Sequence, residues 1–420
     1  MKVLVVGGGG REHAIVWKLS QSPKINKLYC APGNPGIAEL AECVSIAVSE
    51  IEKLADFAKK EQIDLTFVGP EEPLSLGIVN FFKEQELTIF GPSKEAALIE
   101  GSKAFAKELM MKYQIPTAKY AAFTNYEEAL AYVRSEGPPI VIKADGLAAG
   151  KGVVVAKKFE EAEEALKSMM KEVTFGSAGA RVVVEEFLEG EELTLLSFVN
   201  GATVKPMVPA QDHKPVFNND KGPNTGGMGT YAPLPHIESS MIDRIIQEIV
   251  EPTAKAMVEE GYPFEGILYT GLILTKEGPK VIEYNARFGD PETQVILPLL
   301  ETDLLDILIA SSEGELEKIE VNWTEKSAVC VIMTSGGYPG PYKKGDVIKG
   351  LEQIEYPTIV FHAGTSEKDS EILTNGGRVL GITAIGDNLR EARDMAYKSV
   401  GKIYFSNAHF RTDIASKAFY

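Results

Sequence analysis

Three polar side chains alternate with apolar ones at residues 281–288: Glu283, Asn285 and Arg287. Alternate residues of a β-strand point to the same face, so the three side chains are predicted to share one side of a strand. A carboxylate and an amide oxygen two residues apart suit Mg²⁺, which also binds nucleotide phosphates. An arginine one step further suits a carboxylate or a transferring phosphoryl group. The alternative is a solvated polar face, and the Gly-Asp-Pro-Glu sequence that follows favours the metal and transfer site.

A lysine ends the apolar segment 140–143, and a glycine-rich loop follows it at 145–152. A strand buried on both sides rarely tolerates a lysine without an anionic partner, so Lys143 indicates a bound anion. The loop glycines, including Gly150 and Gly152, permit close approach of the backbone to phosphate. The segment lacks the Gly-Lys-Ser/Thr that opens a helix in a Walker motif. It therefore favours a hairpin loop that closes over nucleotide phosphates.

A second apolar segment at 182–184 leads into the Glu-Glu-Phe-Leu sequence of 185–188. Adenine needs an acceptor for its amino group and an apolar slot, which 185–188 offers. Ribose needs a carboxylate for its hydroxyl groups, and Glu192 offers one. An exposed acidic turn explains the segment equally well when it is taken alone.

Four glycines at 7–10 follow the first apolar segment. A dinucleotide fingerprint needs a further glycine where this chain has Glu12 or His13, and an acid where its second strand ends in Ala31-Pro32. These differences argue against a nicotinamide site. The turn still offers backbone N–H groups to a single phosphate, and a tight turn without a ligand is the alternative.

Residues 211–236 contain few apolar residues and many turn formers, which predicts a structureless loop that is either functional or disordered. The loop includes Asp212, His213 and Lys214. Its glycine-rich stretch 224–229 is predicted to form a nest of N–H donors for a carboxylate or phosphate. The five histidines of the chain show no metal-binding spacing, so a zinc site is not expected.

Strand-like and helix-like segments alternate over residues 1–101, which predicts a doubly wound parallel sheet with ligands at the carboxyl ends of its strands. Residues 102–325 place glycine loops between antiparallel strands, which predicts an α+β unit. Residues 326–420 contain strands and one helix, which predicts a small α/β domain. Single helices are predicted over 74–85 and 240–260.

The amino-acid composition limits the classes of protein to which this chain can belong. The 420 residues are 44% apolar, enough for several packed cores and two to four domains. The net charge of −17 argues against a general nucleic-acid binder. Cys30, Cys43 and Cys330 lie too far apart for a C-x-x-C pair, and no apolar run is long enough for a signal peptide or membrane span. We expect a soluble cytoplasmic enzyme.

Together these stretches resemble the ATP-grasp superfamily and, within it, the phosphoribosylamine–glycine ligase family. The resemblance runs almost from end to end. The motifs that carry it are GGGGREHA at 7–14, APGNPG at 31–36, VGPEEPL at 68–74, EGSKAFAK at 100–107, IVIKADGLAAGKGVVVA at 140–156, EEFLEGEE at 185–192, QDHK at 211–214, GPNTGGMG at 222–229 and EYNARFGDPET at 283–293.

The resemblance implies that ATP, glycine and 5-phosphoribosylamine give ADP, phosphate and glycinamide ribonucleotide, with Mg²⁺ or Mn²⁺ as the metal. It implies an amino-terminal domain (1–101), an ATP-grasp domain with two lobes (102–325, of which about 124–188 is mobile) and a carboxyl-terminal domain (326–420). It also implies a monomer with no nucleic-acid or membrane partner.

The same resemblance implies site residues. The nucleotide-binding residues are Lys103, Lys143, Ala148, Gly150, Lys151, Gly152, Glu185, Glu186, Phe187, Leu188 and Glu192. The metal ligands are Glu283 and Asn285. The catalytic residues are Lys143, Asp212 and Arg287. The substrate-binding residues are Gly9, Gly10, Glu12, Asn34, Pro70, Glu71, Asp212, Lys214, Gly226, Gly227, Met228 and Arg287.

Some features depart from the family, and other functions remain open. Pro215 stands where the family has Arg, and Phe217 and Asn218 replace a more usual Gly-Asp, which affects the details of that loop. The chain shows no Ser-His-Asp or Cys-His pattern, in agreement with a reaction that needs no enzyme nucleophile. Alternatives are an ATP-grasp ligase that uses bicarbonate and a nucleotide-binding regulatory protein without turnover.

Overall fold

The computed structural model describes residues 1–146, 152–171 and 180–419 of the chain. Its sheets fall into a parallel amino-terminal region, two antiparallel sheets in the middle of the chain and an antiparallel sheet near the carboxyl end. Among the helices of the described residues, none combines the length and apolar character that crossing a membrane requires.

The amino-terminal region is the predicted doubly wound parallel sheet. Its strands are β1 (Lys2–Gly7), β2 (Lys27–Pro32), β3 (Glu42–Cys43), β4 (Leu65–Val68) and β5 (Ile89–Phe90). Its helices are α1 (Gly10–Leu19), α2 (Pro35–Ala38), α3 (Ile51–Glu61), α4 (Glu71–Leu76) and α5 (Ile78–Glu84). The strand order is β3-β2-β1-β4-β5. Alternate residues of β1 pack into two different cores, so both faces of the sheet are covered.

The prediction of one helix over 74–85 is wrong. Two helices, α4 and α5, meet at Gly77, which has φ +92°. This left-handed conformation ends α4, because glycine adopts it without the steric cost of a side chain.

The first antiparallel sheet of the middle region has its own small core. Two helices precede it, α6 (Leu98–Gly101) and α7 (Lys103–Lys112). Its elements are β6 (Tyr120–Phe123), α8 (Tyr126–Glu136), β7 (Ile140–Ala144), β8 (Val153–Ala156), α9 (Phe159–Met170) and β9 (Val182–Glu186), with strand order β6-β9-β7-β8. The apolar sides of α8 and α9 pack on these strands in a cluster separate from the two larger cores. This part is therefore a lobe.

The prediction of a structureless loop over 211–236 is wrong. After β10 (Glu191–Asn200) and β11 (Thr203–Pro206), the chain forms β12 (Gln211–Asp212), β13 (Pro215–Phe217), β14 (Lys221–Asn224) and β15 (Gly229–Ala232). Strand pairing satisfies backbone N–H and C=O groups whatever the side chains are, so a polar sequence forms these strands. β13 pairs with β14, whereas β12 pairs with β15.

The second antiparallel sheet carries the strand predicted at 280–285, which ends at Asn285, so Arg287 follows the strand. Before it lie α10 (Ser239–Ile245), a π-helical turn (Ile246–Val250) and α11 (Glu251–Glu259), which follow one another without a break where a single helix was predicted. The sheet is completed by β16 (Glu265–Thr275) and β17 (Gly278–Asn285), in the order β11-β10-β16-β17. It is followed by α12 (Thr293–Leu299), α13 (Leu304–Ser312) and a 3₁₀ turn (Leu316–Lys318).

The last sheet draws strands from two parts of the sequence. The elements that end the chain are β18 (Ser327–Thr334), a 3₁₀ turn (Leu351–Gln353), β19 (Thr358–His362), β20 (Thr365–Lys368), β21 (Glu371–Thr374), β22 (Arg378–Gly386), α14 (Leu389–Val400) and a 3₁₀ turn (Ser416–Phe419), and β20 and β21 form a two-stranded sheet of their own. The strand order is β12-β15-β18-β22-β19, so β12 and β15 extend this sheet. That pairing brings the polar segment 211–232 against the carboxyl-terminal region.

Candidate functional site

The alternation predicted around Glu283 is present in β17 and the residues after it. Glu283, Asn285 and Arg287 are half-buried, whereas Tyr284 and Ala286 between them are 3% and 1% exposed. The polar side chains therefore lie on the open side of the strand, and the apolar ones pack into the core.

Cations surround Glu283. Burial alone would raise the pKa of Glu283, but the charges of Lys214, Lys143, Lys103 and Arg287 outweigh it and hold that pKa below its ordinary value. The carboxylate is therefore ionised at neutral pH. Four cations that act on one carboxylate suit a metal-bound polyphosphate.

The donor atoms on β17 fit a divalent metal that is held jointly with a phosphate. The side-chain amide of Asn285 makes two hydrogen bonds when its nitrogen donates to Glu100 Oε1 (3.0 Å) and to Tyr284 O (3.2 Å). In this orientation the amide oxygen points away from both acceptors. That oxygen and the Glu283 carboxylate are hard donors of the kind Mg²⁺ prefers. The described residues contain no cluster of three or more His, Cys, Asp or Glu that could hold a metal alone. Two protein oxygens plus phosphate oxygens are the usual pattern for nucleotide-bound Mg²⁺.

Lys143 belongs to a buried charge network that the sequence did not reveal. Glu185 is 3% exposed, and its carboxylate lies 2.9 Å from Lys143 Nζ and 2.9 Å from Lys107 Nζ. Burial lowers the pKa of Lys107 to about 8 despite the attraction of Glu185. Lys143 also donates to Ile282 O at 3.0 Å, which ties β7 to β17. The carboxylate of Glu185 thus binds two lysines, and the adenine contact expected for this residue stays a prediction.

The rest of the hinge at 186–192 is more open. The Glu186 carboxylate accepts from Lys119 N at 3.0 Å, and Phe187 is 37% exposed. Leu188 is half-buried, and the Glu192 side chain is 53% exposed and lies 3.3 Å from Lys214 Nζ. The apolar side chains of Phe187 and Leu188 and the accessible carboxylate of Glu192 are therefore in the part of the chain that leads to Lys214.

The predicted phosphate loop lies mainly outside the described residues, which include neither Ala148 nor Gly150 nor Lys151. Its ends are described. Gly152 O accepts from Ala144 N at 2.8 Å, which closes the hairpin between β7 and β8. Lys103 Nζ donates to Gly146 O at 3.0 Å, and burial lowers the pKa of Lys103. Lys103 therefore lies at the base of this loop.

Arg287 is held by two acids from different elements. Its guanidinium lies 3.2 Å from Glu71 and 3.0 Å from Glu100. Burial alone would lower the pKa of Arg287, but these two carboxylates raise it. Glu100 also accepts from Ala286 N at 2.7 Å, and burial raises its own pKa. The arginine is therefore fixed and permanently charged at the junction of β17 with the amino-terminal region.

Glu12 is built into the first glycine turn. Its carboxylate accepts from Gly9 N at 2.7 Å and from Arg11 Nε at 2.6 Å. A Cβ atom at Gly7, which has φ +133°, would lie 2.3 Å from Glu12, and one at Gly69 would lie 2.2 Å from it. Glycine at the ends of β1 and β4 therefore makes room for this acid.

Asn34 serves the structure of the turn after β2. Its side-chain oxygen accepts from Ile37 N at 3.0 Å, and its nitrogen donates to Gly8 O and His362 O at 3.0 and 2.8 Å. The amide thus joins two amino-terminal turns to the carboxyl-terminal sheet.

The amino-terminal turns face the segment that follows β17. A Cβ atom at Gly10 would lie 2.8 Å from Gln294 Nε2, and one at Gly9 would lie 3.9 Å from Asp290 Oδ2. Pro70 precedes the first residue of α4 at the neighbouring strand end. The carboxyl edge of the parallel sheet therefore lies beside residues 290–294, at the edge where ligands of such sheets bind.

An acidic pair lies beside Lys214. Burial raises the pKa of Asp212, and Lys214 offsets only part of that shift. Burial and the charge of Asp212 raise the pKa of Glu292 to about 7, although Tyr269 donates to its carboxylate at 3.0 Å. Burial alone would lower the pKa of Lys214, but Asp212 and Glu192 raise it above its ordinary value. The pair therefore has carboxyl groups that hold protons more readily than usual.

The N–H nest predicted in the glycine-rich stretch is wrong for residues 226–228. Their N–H groups donate within the chain, to Tyr338 Oη, Thr225 Oγ1 and His213 O, at 3.1, 2.9 and 2.8 Å. A packed turn must satisfy its own backbone groups, and here neighbouring segments do so. The N–H groups of Gly226, Gly227 and Met228 are therefore already hydrogen-bonded within the chain. These three residues, which border the cleft, are called the glycine wall below.

The residues that depart from the family pattern face the carboxyl-terminal segment. Pro215 O accepts from Arg411 Nη1 at 3.0 Å. Asn218 exchanges two hydrogen bonds with Thr412, at 2.6 and 3.0 Å. Phe217 is 52% exposed. These contacts lie on the β13–β14 hairpin and leave the cation cluster around β17 untouched.

The structure brings most of the predicted polar side chains into one cleft and adds others. The cleft lies between the two antiparallel sheets and the edge of the parallel sheet. Residues that sequence reasoning missed are Glu100, Lys107, Tyr269, Glu292 and Arg378. Three of them had a signal, because Glu100 and Lys107 stand in EGSKAFAK and Glu292 stands in EYNARFGDPET. Nothing in the sequence pointed to Tyr269 or Arg378.

Models of one family match the chain almost throughout. They are the phosphoribosylglycinamide synthetase N domain at residues 1–100, the ATP-grasp (A) domain at 101–293 and the C domain at 328–417.

Relatives match over their full length. The phosphoribosylamine–glycine ligase of Caldanaerobacter subterraneus subsp. tengcongensis is 56% identical, with 99% of this chain and 100% of the relative covered. That of Halalkalibacterium halodurans is 54% identical, with 100% and 97% covered. The crystal structure of the enzyme from Thermotoga maritima matches with a TM-score of 0.87 and 35% identity, over 99% of this chain and 100% of that one. The chain therefore belongs to the phosphoribosylglycinamide synthetase family.

Proposed function

We propose that this protein joins glycine to 5-phosphoribosylamine, with ATP converted to ADP and phosphate, in purine biosynthesis. The observation that carries the proposal is the carboxylate of Glu283, which cations surround, on a strand that ends two residues before Arg287. Such a pocket suits a metal-bound polyphosphate beside a carboxylate substrate. Family membership over the whole chain supports the same reaction.

The nucleotide is proposed to lie between the two antiparallel sheets. Lys103 and Lys143 contact its phosphates from opposite lobes, and the loop that contains Ala148, Gly150, Lys151 and Gly152 closes over them. The hinge at 185–188 holds adenine through its backbone and the side chains of Phe187 and Leu188, because the carboxylate of Glu185 is engaged by two lysines. Glu192 takes the ribose hydroxyl groups.

Glu283 and Asn285 are proposed to bind Mg²⁺ or Mn²⁺ together with the phosphates. The metal supplies charge neutralisation at the transferring phosphoryl group when it is bound. Lys143 and Arg287 add positive charge that is already oriented by Glu185 and by the acids beside Arg287. Such preorganised charge costs no rearrangement during the reaction.

The chemistry takes two steps. A glycine carboxylate oxygen attacks the γ-phosphorus of ATP in line, and the bond from that phosphorus to the ADP oxygen breaks, which gives glycyl phosphate. The amine nitrogen of phosphoribosylamine then attacks the glycyl carbonyl carbon. Phosphate leaves with the electron pair of the C–O bond, and the nitrogen loses a proton. Acyl phosphates hydrolyse, so a closed cleft must exclude water.

The two substrates are proposed to meet between the polar loops. Asp212, Lys214, Arg287 and the wall formed by 226–228 surround glycine and the acyl phosphate. The amine substrate lies against the turns that contain Gly9, Gly10, Glu12, Asn34, Pro70 and Glu71. The proximity of Gly9 to Asp290 and of Gly10 to Gln294 supports a shared cleft.

The domain boundaries and the setting of the protein are also proposals. The domains are 1–101, 102–325 and 326–420, and the lobe at about 124–188 moves as a body, a proposal that its separate apolar core supports. We propose a cytoplasmic monomer that binds neither nucleic acid nor membranes. Light scattering after size-exclusion chromatography tests the oligomeric state.

A coupled assay of ADP release tests the function. ADP release is expected with ATP, Mg²⁺ and glycine when phosphoribosylamine is added, and only slow release without it. Bicarbonate in place of glycine is the control for the other ligases of this superfamily. Turnover with bicarbonate alone, or none with glycine and the amine, overturns the proposal.

A further inference from the structure

Arg378 reaches from the carboxyl-terminal sheet into the wall of the cleft. It is the first residue of β22, and its side chain is 20% exposed. Its Nη1 donates to Gly226 O at 2.6 Å and to Asp290 O at 2.7 Å, and its Nη2 lies 3.1 Å from Asp290 Oδ2. One planar guanidinium therefore joins the glycine wall to the turn after β17.

The backbone of Gly226 and Gly227 is packed too closely against its neighbours to carry a side chain. A Cβ atom at Gly226 would lie 3.0 Å from the central carbon of the Arg378 guanidinium, and one at Gly227 would lie 2.4 Å from the Pro291 ring. Gly226 N donates to the Tyr338 hydroxyl at 3.1 Å, so a second carboxyl-terminal residue fixes the same peptide. Both backbone groups of Gly226 are thus held from the carboxyl-terminal region.

Asp290 connects this clamp to the amino-terminal turns. Its carboxylate accepts from Gln294 Nε2 at 2.8 Å in addition to pairing with Arg378. A Cβ atom placed at Gly9 would lie 3.9 Å from the same carboxylate. A Cβ atom placed at Gly10 would lie 2.8 Å from Gln294 Nε2. The clamp is therefore contiguous with the turns proposed for the amine substrate.

Arg378 makes its direct contacts away from the nucleotide strand. Its hydrogen bonds and its ion pair go to Gly226 and Asp290, and within the described residues none joins it to Glu283, Lys103 or Lys143. Arg287 is near both groups, because its charge acts on Arg378 and on Glu283. The clamp and the phosphate pocket are thus neighbouring parts of one cleft that have different direct contacts.

We propose that Arg378 is a positioning residue for the second half-reaction, in which the amine attacks the acyl phosphate. It acts through Gly226 and Asp290, whose positions it sets, and so orients the amine substrate against the activated glycine. This inference rests on the proposed function. A lysine cannot replace it, because a point charge does not reach two carbonyl groups and a carboxylate with fixed geometry.

The test separates the two half-reactions in the full-length protein. Arg378→Lys and Arg378→Met are compared with wild type for glycyl phosphate formation, measured by trapping with hydroxylamine, and for ligation to phosphoribosylamine. We expect trapping within about twofold of wild type, and kcat/KM for phosphoribosylamine lower by about 100-fold, as for misplacement by an ångström. Arg393→Lys is the matched control, because Arg393 also donates to two backbone carbonyl groups of the carboxyl-terminal region.

Two further variants keep the inference testable if the arginine variants do not fold. Asp290→Asn and Tyr338→Phe each remove one partner of the clamp and should give the same selective loss, smaller for Tyr338→Phe. Unchanged ligation in these variants, or an equal loss of trapping and ligation, overturns the inference while wild-type activity stands. Wild-type protein that shows neither half-reaction overturns the proposed function itself.

Discussion

Replacement of Glu185 by glutamine tests the charge network behind the phosphate pocket. The substitution keeps the shape of the side chain and removes the only charge that both Lys107 and Lys143 contact within 2.9 Å among the described residues. Two buried ammonium groups are then left close together without their shared counter-charge. The folded state should become less stable, and Lys143 should lose its fixed position.

The size of the effect follows from the burial of the network. Glu185 is 3% exposed, and burial already lowers the pKa of Lys107 to about 8. Removal of one partner from a buried ion pair costs about 3–5 kcal/mol. In a domain of about 150–250 residues, 1 kcal/mol shifts the melting temperature by about 2–4 °C. We therefore expect a decrease of roughly 6–20 °C for the transition of this region.

Differential scanning calorimetry with and without Mg²⁺ and ATP measures this decrease. Bound nucleotide should restore part of the lost stability, because the phosphate charge replaces the missing carboxylate near Lys143. The control is Glu108→Gln, which removes an exposed partner of Arg181 (61% and 39% exposed side chains) and should change stability by less than about 1 kcal/mol. A decrease no larger than in this control, or one that ATP leaves unchanged, would refute the reasoning.

Three other predictions concern the site itself. Glu283→Ala should lower Mg²⁺-dependent turnover by about 100-fold or more, since the metal loses its charged ligand; an activity within tenfold of wild type contradicts the assignment. Arg287→Lys should lower kcat by roughly 100-fold at unchanged ATP affinity, because one ammonium cannot bridge Glu71 and Glu100 as the fork does; near-normal steady-state kinetics contradict it. The pKa of Glu292 in the folded protein is about 7, against an ordinary value of 4.5. The protonated side chain therefore contributes fully to the stability of the folded state below about pH 4.5, and this contribution is lost as the pH rises through 7. Glu292→Gln should therefore gain up to about 3 kcal/mol relative to wild type between pH 5 and 8 in urea unfolding, and a constant difference contradicts the shift.

Local patterns in the sequence predicted the elements whose chemistry depends on local geometry. Glu283 and Asn285 share a face because both lie in β17, so their common side followed from residue spacing, whereas Arg287 lies two residues beyond the end of that strand. The parallel sheet followed from the alternation of apolar segments with helices. Both inferences use periodicities of two or a few residues, which the backbone imposes whatever the rest of the fold is.

Contacts between distant segments were not predictable in the same way. Glu185 and residues 226–228 have partners that the sequence did not indicate, because Lys107 and Tyr338 reach them from other elements. Arg378 lies 152 residues after Gly226, and no spacing rule relates the two. A polar side chain near a predicted ligand site has two kinds of partner, the ligand or another part of the protein, and the sequence alone does not distinguish them.

The cations of the cleft share one feature that reconciles the acidic chain with anionic substrates. Lys143, Arg287 and Arg378 each contact a carboxylate supplied by another element. These acids offset the cost of burying the cations and fix their positions before any phosphate is bound. The net charge of −17 then describes the surface, where it opposes binding of nucleic acids. Anion recognition depends on a few oriented cations, so variants that alter surface charge far from this cleft should leave nucleotide affinity unchanged, whereas loss of one cleft acid should change it.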